Sequence, residues 1–329
     1  MQSTRNKLIE LLAENRDEYI SGQELSDRLH ISRSAIWKHM KQLEKDGYQI
    51  EGVSNKGYRI LKFPAKISEN TIRWGLQTKW LGKSIIHKES ITSTQEIAHH
   101  VAKEGAQHGT VIIADEQTNS RGRMQRQWHS AASKGIWMSI LLRPAMLPQN
   151  APQLTLLSGT VLASVIARKF DVTPYIKWPN DIIINGKKVA GILTEMQAEQ
   201  DQIQYVIIGM GINVNQDRED FPDEITTKAT SLKIATGCEQ ELVDLIQDIL
   251  LQFEKMYDNY LQAGFPYVKT IWESFGFKIG KPIVVRTMNK EWKTDFLGIA
   301  KDGALLVAND QDKPEKLYAG EIDWFKEEE

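Results

Sequence analysis

The stretch KWPNDIIINGKKVAGILTEM, residues 177–196, decides the fold class of the centre of the chain. Two largely aliphatic runs, 181–185 and 188–196, flank Asn185-Gly186. Asn-Gly supplies the two positive-φ positions of a two-residue hairpin turn. The runs are therefore antiparallel neighbours, which argues against a purely parallel, doubly wound sheet. The hairpin also carries Lys188 back toward the start of its partner strand, near Asp181. A lysine leading into Ala190-Gly191 would hold a cation close to a ligand, with Gly191 leaving room. The same residues also fit an exposed strand lysine and a structural Trp-Pro corner, and spacing alone does not choose.

Outward from this hairpin, TVIIA (110–114), GIWMSILL (135–142) and QYVIIGMGINV (204–214) read as further strands. Residues 151–170 and 240–262 read as long helices. Helical and strand patterns alternate from 66 to 275, which favours an α/β domain. From Gly280 the pattern changes. KPIVVRT, TDFLGIA, GALLVA and KLYAGEI are short strands with turns between them, as in a small β-barrel of about 50 residues.

Residues 1–63 form a unit of their own, with a linker at Phe63-Pro64-Ala65-Lys66. Leu8, Leu11 and Leu12 make a helical stripe. Ser21 and Glu24 have the spacing of a capping box, opening a helix with Leu25 and Leu29. His30-Ile31-Ser32 is a tight connection, and Ser32 suits the N-cap of a third helix that buries Ile36, Met40 and Leu43. YQIEGVSNKGYRI (48–60) then alternates around Asn55-Lys56-Gly57 as a two-stranded wing would. This is the pattern of a winged helix-turn-helix. Arg33, Trp37 and Lys41 share one stripe, with Ser34 and Lys38 beside it. Residues 28–45 hold five Lys/Arg and one acid, a local charge of +4. A DNA duplex rewards such a cluster through counterion release. Ser32, Arg33, Ser34, Trp37, Lys38 and Lys41 are the candidate DNA-binding residues. A plain three-helix interaction module with a solvated basic face would show the same pattern.

Composition bounds these readings. The net charge of -2 makes any nucleic-acid surface local rather than global. A single cysteine, Cys238, forbids a disulfide within the chain and argues against a cysteine-based metal cluster, in keeping with a reducing cytoplasm. Acidic residues recur through the first twenty positions, unlike a secretory signal. Apolar runs are too short for a membrane span of about 20 residues, so a cytoplasmic protein without a membrane partner is expected.

Two further stretches carry chemistry. In DEQTNSRGRMQRQW (115–128) Arg121, Arg123 and Arg126 surround Gly122 just after a strand. Arginine forks grip carboxylates and phosphates with two bonds at once, and Trp128 offers a flat face for a ring. A solvated basic loop is the bland alternative. In Thr92-Ser93-Thr94-Gln95-Glu96, polar groups precede a helix with Ile97, Ala98, Val101 and Ala102. Here simple helix capping is the alternative.

Together these runs resemble the biotin–protein ligases. In that family a Ser-Thr pair opens a helix, a Gly-Arg-Gly-Arg loop follows a strand, and Lys-Trp-Pro-Asn-Asp precedes a Lys-x-Ala-Gly-Ile-Leu strand. This chain shows Ser93-Thr94, Ser120-Arg121-Gly122-Arg123, Lys177 to Asp181, and Lys188 to Leu193. The N-terminal module and C-terminal barrel match the bifunctional, operon-repressing class. The fold expected is thus multidomain α+β. It comprises a winged helix-turn-helix (1–63), a mixed α/β ligase domain with antiparallel hairpins (66–275) and a small SH3-like β-barrel (276–329).

The resemblance implies roles. Ser93, Thr94 and Gln117 would face biotin's ureido ring, and Gln95 would also belong to the biotin site. Arg121, Gly122 and Arg123 would close over biotin and its adenylate, with Gly191 beneath. Arg126, Trp128, Asn180 and Asn213, with Arg123, would contact ATP, Trp128 stacking on adenine. Lys188, Arg121 and Arg123 would be catalytic, with Lys188 bridging carboxylate and α-phosphate. Asp181 is a candidate carboxylate for Mg²⁺, which would arrive with ATP. Biotinyl-5′-AMP would be both intermediate and corepressor, with no covalent cofactor. The partners implied are the biotin carboxyl carrier protein of acetyl-CoA carboxylase and of other biotin-dependent carboxylases, operator DNA, and a second copy in an adenylate-bound homodimer. Three positions depart from the family pattern: Ser120 replaces a glycine, Met124 a polar or basic residue, and Gln95 a frequent asparagine.

Both reactants bring their own nucleophile in such chemistry, so no Ser-His-Asp or Cys-His set is required. Two other readings share these features: a biotin-sensing regulator without catalysis, and a ligase for a related acid such as lipoate. Pyrophosphate release and competition between the two acids discriminate them.

Overall fold

Ser21 and Ser32 cap two successive helices of the N-terminal module, accepting from the backbone N–H of Glu24 and Ala35 at 3.1 and 3.2 Å. In the computed structural model, which describes residues 4–15, 18–287, 290–309, 311, 313–318 and 320–324, the chain divides into two units. One is Met1–Leu76 with Glu241–Gln247, the other Gln77–Gln240 with Asp248–Glu329.

The first unit contains α1 (Thr4–Glu14), α2 (Gly22–Leu29), α3 (Arg33–Lys45), β1 (Gln49–Val53), β2 (Gly57–Lys62) and α4 (Glu69–Arg73). Leu8, Leu12, Leu25, Ile36, Met40 and Leu43 form its core, as their helical spacing requires. Each buried aliphatic side chain contributes about 1.5–3 kcal/mol. His30 takes the left-handed C-cap of α2 at φ 54°. β1 and β2 pair antiparallel, and Tyr58 exchanges two backbone hydrogen bonds with Ile20. That close approach needs glycine at position 57, where a Cβ would lie 2.0 Å from the Ile20 carbonyl oxygen. The unit runs past the boundary at residue 63 that the sequence pattern marks. Trp74 stacks on Phe63 at 4.2 Å, and Arg73 pairs with Glu10 at 2.7 Å.

The second unit opens with β3 (Ile85–Ile91), α5 (Thr94–Lys103), β4 (Thr110–Gln117), β5 (Gly135–Leu142), α6 (Pro152–Lys169), β6 (Tyr175–Lys177), β7 (Asp181–Ile184), β8 (Lys187–Glu199) and β9 (Gln202–Asn213). These strands form one seven-stranded sheet, ordered β3-β4-β5-β9-β8-β7-β6. Only β3 and β4 run parallel, joined by the crossover helix α5. Asn185 and Gly186 both adopt positive φ (49° and 74°), the turn that their identities require. Alternation along β8 and β9 separates two faces. Ile192 and Thr194 face α6, a helix buried on most of its surface. Gly191, Glu195, Gly209 and Gly211 face α5 and the segment 117–130.

Next come α7 (Asp223–Thr226), α8 (Leu232–Thr236), α9 (Leu242–Ala263) and α10 (Phe265–Phe275). A five-stranded antiparallel module ends the chain: β10 (Pro282–Arg286), β11 (Glu291–Ile299), β12 (Leu305–Ala308), β13 (Pro314–Leu317) and β14 (Glu321–Asp323), ordered β13-β12-β11-β10-β14. The run 316–322 that reads as one strand is broken here. Its first residues pair with β12 and its last with β10. Ile283, Val285, Phe296, Leu305, Val307 and Trp324 make the module's core. Among the described residues no helix is long and apolar enough to cross a membrane.

Candidate functional site

The site lies on the α5 face of the sheet, where side chains are missing. Gly191 on β8 stands opposite Gly211 on β9, and Gly209 is two positions further along β9. The hollow they leave is filled from the loop between β4 and β5. A Cβ at Gly211 would come within 2.6 Å of the Trp128 indole, and one at Gly191 within 3.0 Å. The room at Gly191 that the sequence reserves for a ligand is therefore occupied by Trp128. Lys188 lies over the indole, its Nζ 5.1 Å from the ring centroid. The Trp128 Nε1–H is buried and has no hydrogen-bond partner among the described residues.

Lys188 meets Asp181 at 2.6 Å, as the hairpin turn predicts. Around this pair the sequence gathers other cations. Arg123 lies within electrostatic reach of Asp181 and Arg126, and its Nη1 donates to Asn180 Oδ1 at 3.4 Å. Asn180 in turn donates to the Ile192 carbonyl at 2.8 Å, which fixes the amide against β8. Lys177, half-buried, has its pKa lowered by burial, with Asp181 opposing that shift and Lys188 adding to it. Lys177 is absent from the candidate residues read from sequence, although it begins the Lys-Trp-Pro-Asn-Asp run. The outcome is a set of cations, Lys177, Lys188, Arg123 and Arg126, around the Asp181 carboxylate. Such a surplus suits an anionic ligand.

Beside the hollow lies a buried polar network. Ser93 caps α5. Gln117 Oε1 accepts from Thr94 N at 2.7 Å and Thr94 Oγ1 at 3.1 Å, and Gln117 Nε2 donates to Ser130 Oγ at 3.1 Å. Ser139 Oγ, on β5, reaches both Thr94 Oγ1 (2.8 Å) and Gln95 Oε1 (3.0 Å). Gln95 Nε2 donates to the Leu193 carbonyl at 3.3 Å, so this amide is spent on the sheet and on Ser139. Ser130 and Ser139 carry no motif that would single them out in the sequence. They join the network only because the sheet brings β5 beside β4.

Ser120, where the family pattern has glycine, stitches the base of the loop. Its hydroxyl donates to the Trp128 carbonyl at 2.7 Å and lies 2.8 Å from Ser130 Oγ. Arg121 and Gln127 bridge across the loop, and Gly122 N donates to the Arg126 carbonyl at 2.8 Å. Gly122 itself is extended, while Met124 and Gln125 at the tip take left-handed conformations (φ 55° and 57°) that are uncommon without glycine. Arg121 is exposed and donates to Gln125 Oε1 at 3.3 Å.

On the other side of Lys188, the segment after β9 is tied to the sheet. Lys188 N donates to the Lys228 carbonyl and Thr230 N to the Lys188 carbonyl, at 2.8 and 2.9 Å. Asn213 is buried and donates to the Thr230 carbonyl at 3.1 Å. Lys134 grips both oxygens of Asp220 at 2.7 and 2.5 Å, which lowers the carboxyl's pKa.

Asp181, the metal candidate, is already paired with Lys188, and among the described residues no group of three His, Cys, Asp or Glu could hold a metal ion. The residues fit a cation carried on a phosphate chain better than one held by the protein alone.

In the N-terminal unit the N-cap Ser32 and, on α3, Arg33, Ser34, Trp37, Lys38 and Lys41 are all exposed. Trp37 keeps 52% of its surface open. The local charge is smaller in effect than the count implies, because Arg28 pairs at 2.6 Å with Glu24, an acid outside the counted window, while the Lys41–Glu44 pair, also at 2.6 Å, is already in the count.

Comparison with known proteins brings these observations together. Residues 88–213 match the biotin/lipoate A/B protein ligase family, residues 4–59 an HTH domain, and residues 278–324 the biotin protein ligase C terminal domain. The chain is 48% identical over 324 residues to the bifunctional ligase/repressor BirA of Bacillus spizizenii, covering 98% of this chain and 99% of that one. It is 28% identical over 304 residues to its Escherichia coli counterpart, covering 92% of each. Among solved structures it is similar to the biotin protein ligase of Aquifex aeolicus in complex with biotin and ATP. That likeness has a TM-score of 0.63 and 27% identity, covering 73% of this chain and 98% of that one.

Proposed function

This chain belongs to the biotin/lipoate A/B protein ligase family, and from that premise we propose that it activates biotin with ATP, joins it to a protein lysine, and represses transcription through its N-terminal module. The observation that carries the ligase reading is the pairing of two environments on one sheet face. A buried polar network lies at Thr94, Gln95 and Gln117, and a cation cluster surrounds Asp181 and Lys188. The first suits a neutral, hydrogen-bonding ring and the second a carboxylate and phosphates.

In the first step a carboxylate oxygen of biotin attacks the α-phosphorus of ATP. The bond to the β-phosphate oxygen breaks, giving biotinyl-5′-AMP and pyrophosphate. In the second step the ε-amine of an acceptor lysine attacks the carbonyl carbon, loses a proton and expels AMP, leaving an amide. Two anions must be brought together first, and Lys188, Arg121 and Arg123 supply the charge for it. This is positioning and electrostatic stabilisation, with no protein nucleophile. Asn213, Asn180, Arg126 and Trp128 serve the nucleotide end. Mg²⁺ would come with ATP, with Asp181 the candidate carboxylate to hold it, and would neutralise phosphate charge. Residues 120–128 shield the anhydride from water.

The acceptor is a biotin carboxyl carrier protein, and the adenylate-bound form pairs with a second copy to hold operator DNA. The HTH match and the exposed basic face of α3 support the DNA reading. The test is mass spectrometry of purified protein incubated with biotin and Mg-ATP, with lipoate in a parallel sample. Retained biotinyl-AMP and released pyrophosphate are expected with biotin. Activity with lipoate alone, or with neither acid, overturns the reading.

A further inference from the structure

Trp37, the fifth residue of α3, stays more than half exposed. Ile36 and Met40 on the same helix are buried in the core of the N-terminal unit, and Trp37 is not among the side chains packed against that core. Among the described residues its ring meets no other ring and no cation, and its Nε1–H meets no acceptor. A large apolar side chain has thus been left in water, which forgoes the stabilisation that burial would bring.

The residues around it say what covers it. Arg33 and Lys41 lie four positions to either side, one helical turn away, and Lys38 lies beside it, all exposed. Ser34 Oγ is 2.9 Å from Ser32 Oγ, which itself accepts from Ala35 N, so this hydroxyl is engaged at the helix cap. The exposed stripe of α3 therefore has an apolar middle and cationic borders. On a duplex the borders suit phosphates, and the middle of such a helix faces the base edges in the major groove. The apolar feature of those edges is the 5-methyl group of thymine, where cytosine carries only hydrogen. We propose that Trp37 determines sequence specificity, its indole packing on the methyl group of a thymine in each half of the operator. This inference rests on the reading of residues 4–59 as a DNA-binding module.

The test uses the full-length protein with biotin and ATP. Duplexes are selected from a random pool by the wild type, and each thymine in a selected duplex is then replaced by uracil, which lacks only the methyl group. Affinities are measured by titration at one salt concentration. Replacing one symmetric pair of thymines is expected to weaken wild-type binding by about tenfold. Trp37→Ala should bind the thymine and uracil duplexes equally, and Trp37→Phe should keep part of the preference. If no replacement weakens the wild type, the inference falls without any variant. A Trp37→Ala protein that keeps the full preference overturns it, whether its overall affinity is unchanged, as for a surface kept for a protein partner, or lowered alike for all duplexes, as for a backbone contact. If the wild type selects no duplex at all, the DNA-binding reading fails, and this inference with it.

Discussion

Lys188 and Asp181 form an ion pair at 2.6 Å across the β7–β8 hairpin, with Lys188 also lying over the Trp128 ring. The lysine is thus held by an anion and a ring, yet about a third of its side chain remains open. Lys188→Ala removes the cation proposed to bridge carboxylate and α-phosphate. Adenylate formation should fall by on the order of a hundredfold or more, the loss of a transition-state contact worth about 3–4 kcal/mol. A partly exposed pair adds about 1 kcal/mol or less to stability, so the melting temperature should barely change. Near-normal pyrophosphate release from the variant would remove Lys188 from its role.

Among the described residues the Arg123 side chain makes one long hydrogen bond, to Asn180, so its loss costs the fold little. Its proposed work is to retain the adenylate. Arg123→Gly should therefore speed release of the intermediate more than it slows formation, since changes in affinity appear mostly in off-rates. Freed adenylate acylates exposed lysines on bystander proteins. Serum albumin incubated with the variant, biotin and ATP should become biotinylated. If albumin stays unlabelled while pyrophosphate forms at a normal rate, Arg123 does not guard the intermediate.

His108 titrates in a half-buried setting. It packs against Trp80 with ring centroids 4.4 Å apart, and its Nδ1 accepts from Arg143 N at 2.9 Å, which requires a bare nitrogen. Burial lowers its pKa below 6.5. The unfolded chain then binds the proton more readily than the folded one as pH falls below 6.5. The neutral ring's contribution is present above that value and is lost as pH falls through the lowered folded value. Melting curves between pH 7.5 and 5 should show wild type losing more stability than His108→Gln. Parallel losses would show that His108 does not carry the effect.

The DNA face gives a graded expectation. Lys38→Ala should reduce the salt dependence of operator binding by about one counterion, whereas Lys41→Ala should reduce it less, because Lys41 is engaged with Glu44. Arg33→Glu should weaken binding further. Affinity for a palindromic site should rise when biotin and ATP are both present, the mark of an adenylate-linked dimer. Titrations across a salt series measure the three variants, and equal affinity with and without biotin and ATP would sink the coupling.

How much of this was legible in the sequence follows from distance along the chain. Ser21, Ser32 and the Asn185-Gly186 turn act on neighbours within three residues, so their identities alone announce them. Lys188 and Asp181 are joined by a tight hairpin, and so were readable too. The Ser139–Thr94 bond spans 45 residues and needs the order of the sheet. Trp128 in the hollow at Gly191 and Gly211 was not readable, because a glycine announces room but not what fills it. The break within 316–322 was missed for the opposite reason: continuous alternation hides a change of partner strand.

The stitched base of the arginine loop has a thermodynamic consequence. Fixing one residue's backbone costs about 1–2 kcal/mol of conformational entropy at room temperature. Ser120 and Trp128 are already bound to each other, and Gln117 to Ser130. Any rearrangement over a ligand is confined to the short arc from Arg121 to Gln127, itself bridged at its ends. Less of the ligand's interaction energy is then absorbed in restraining chain, and more of it appears as residence time.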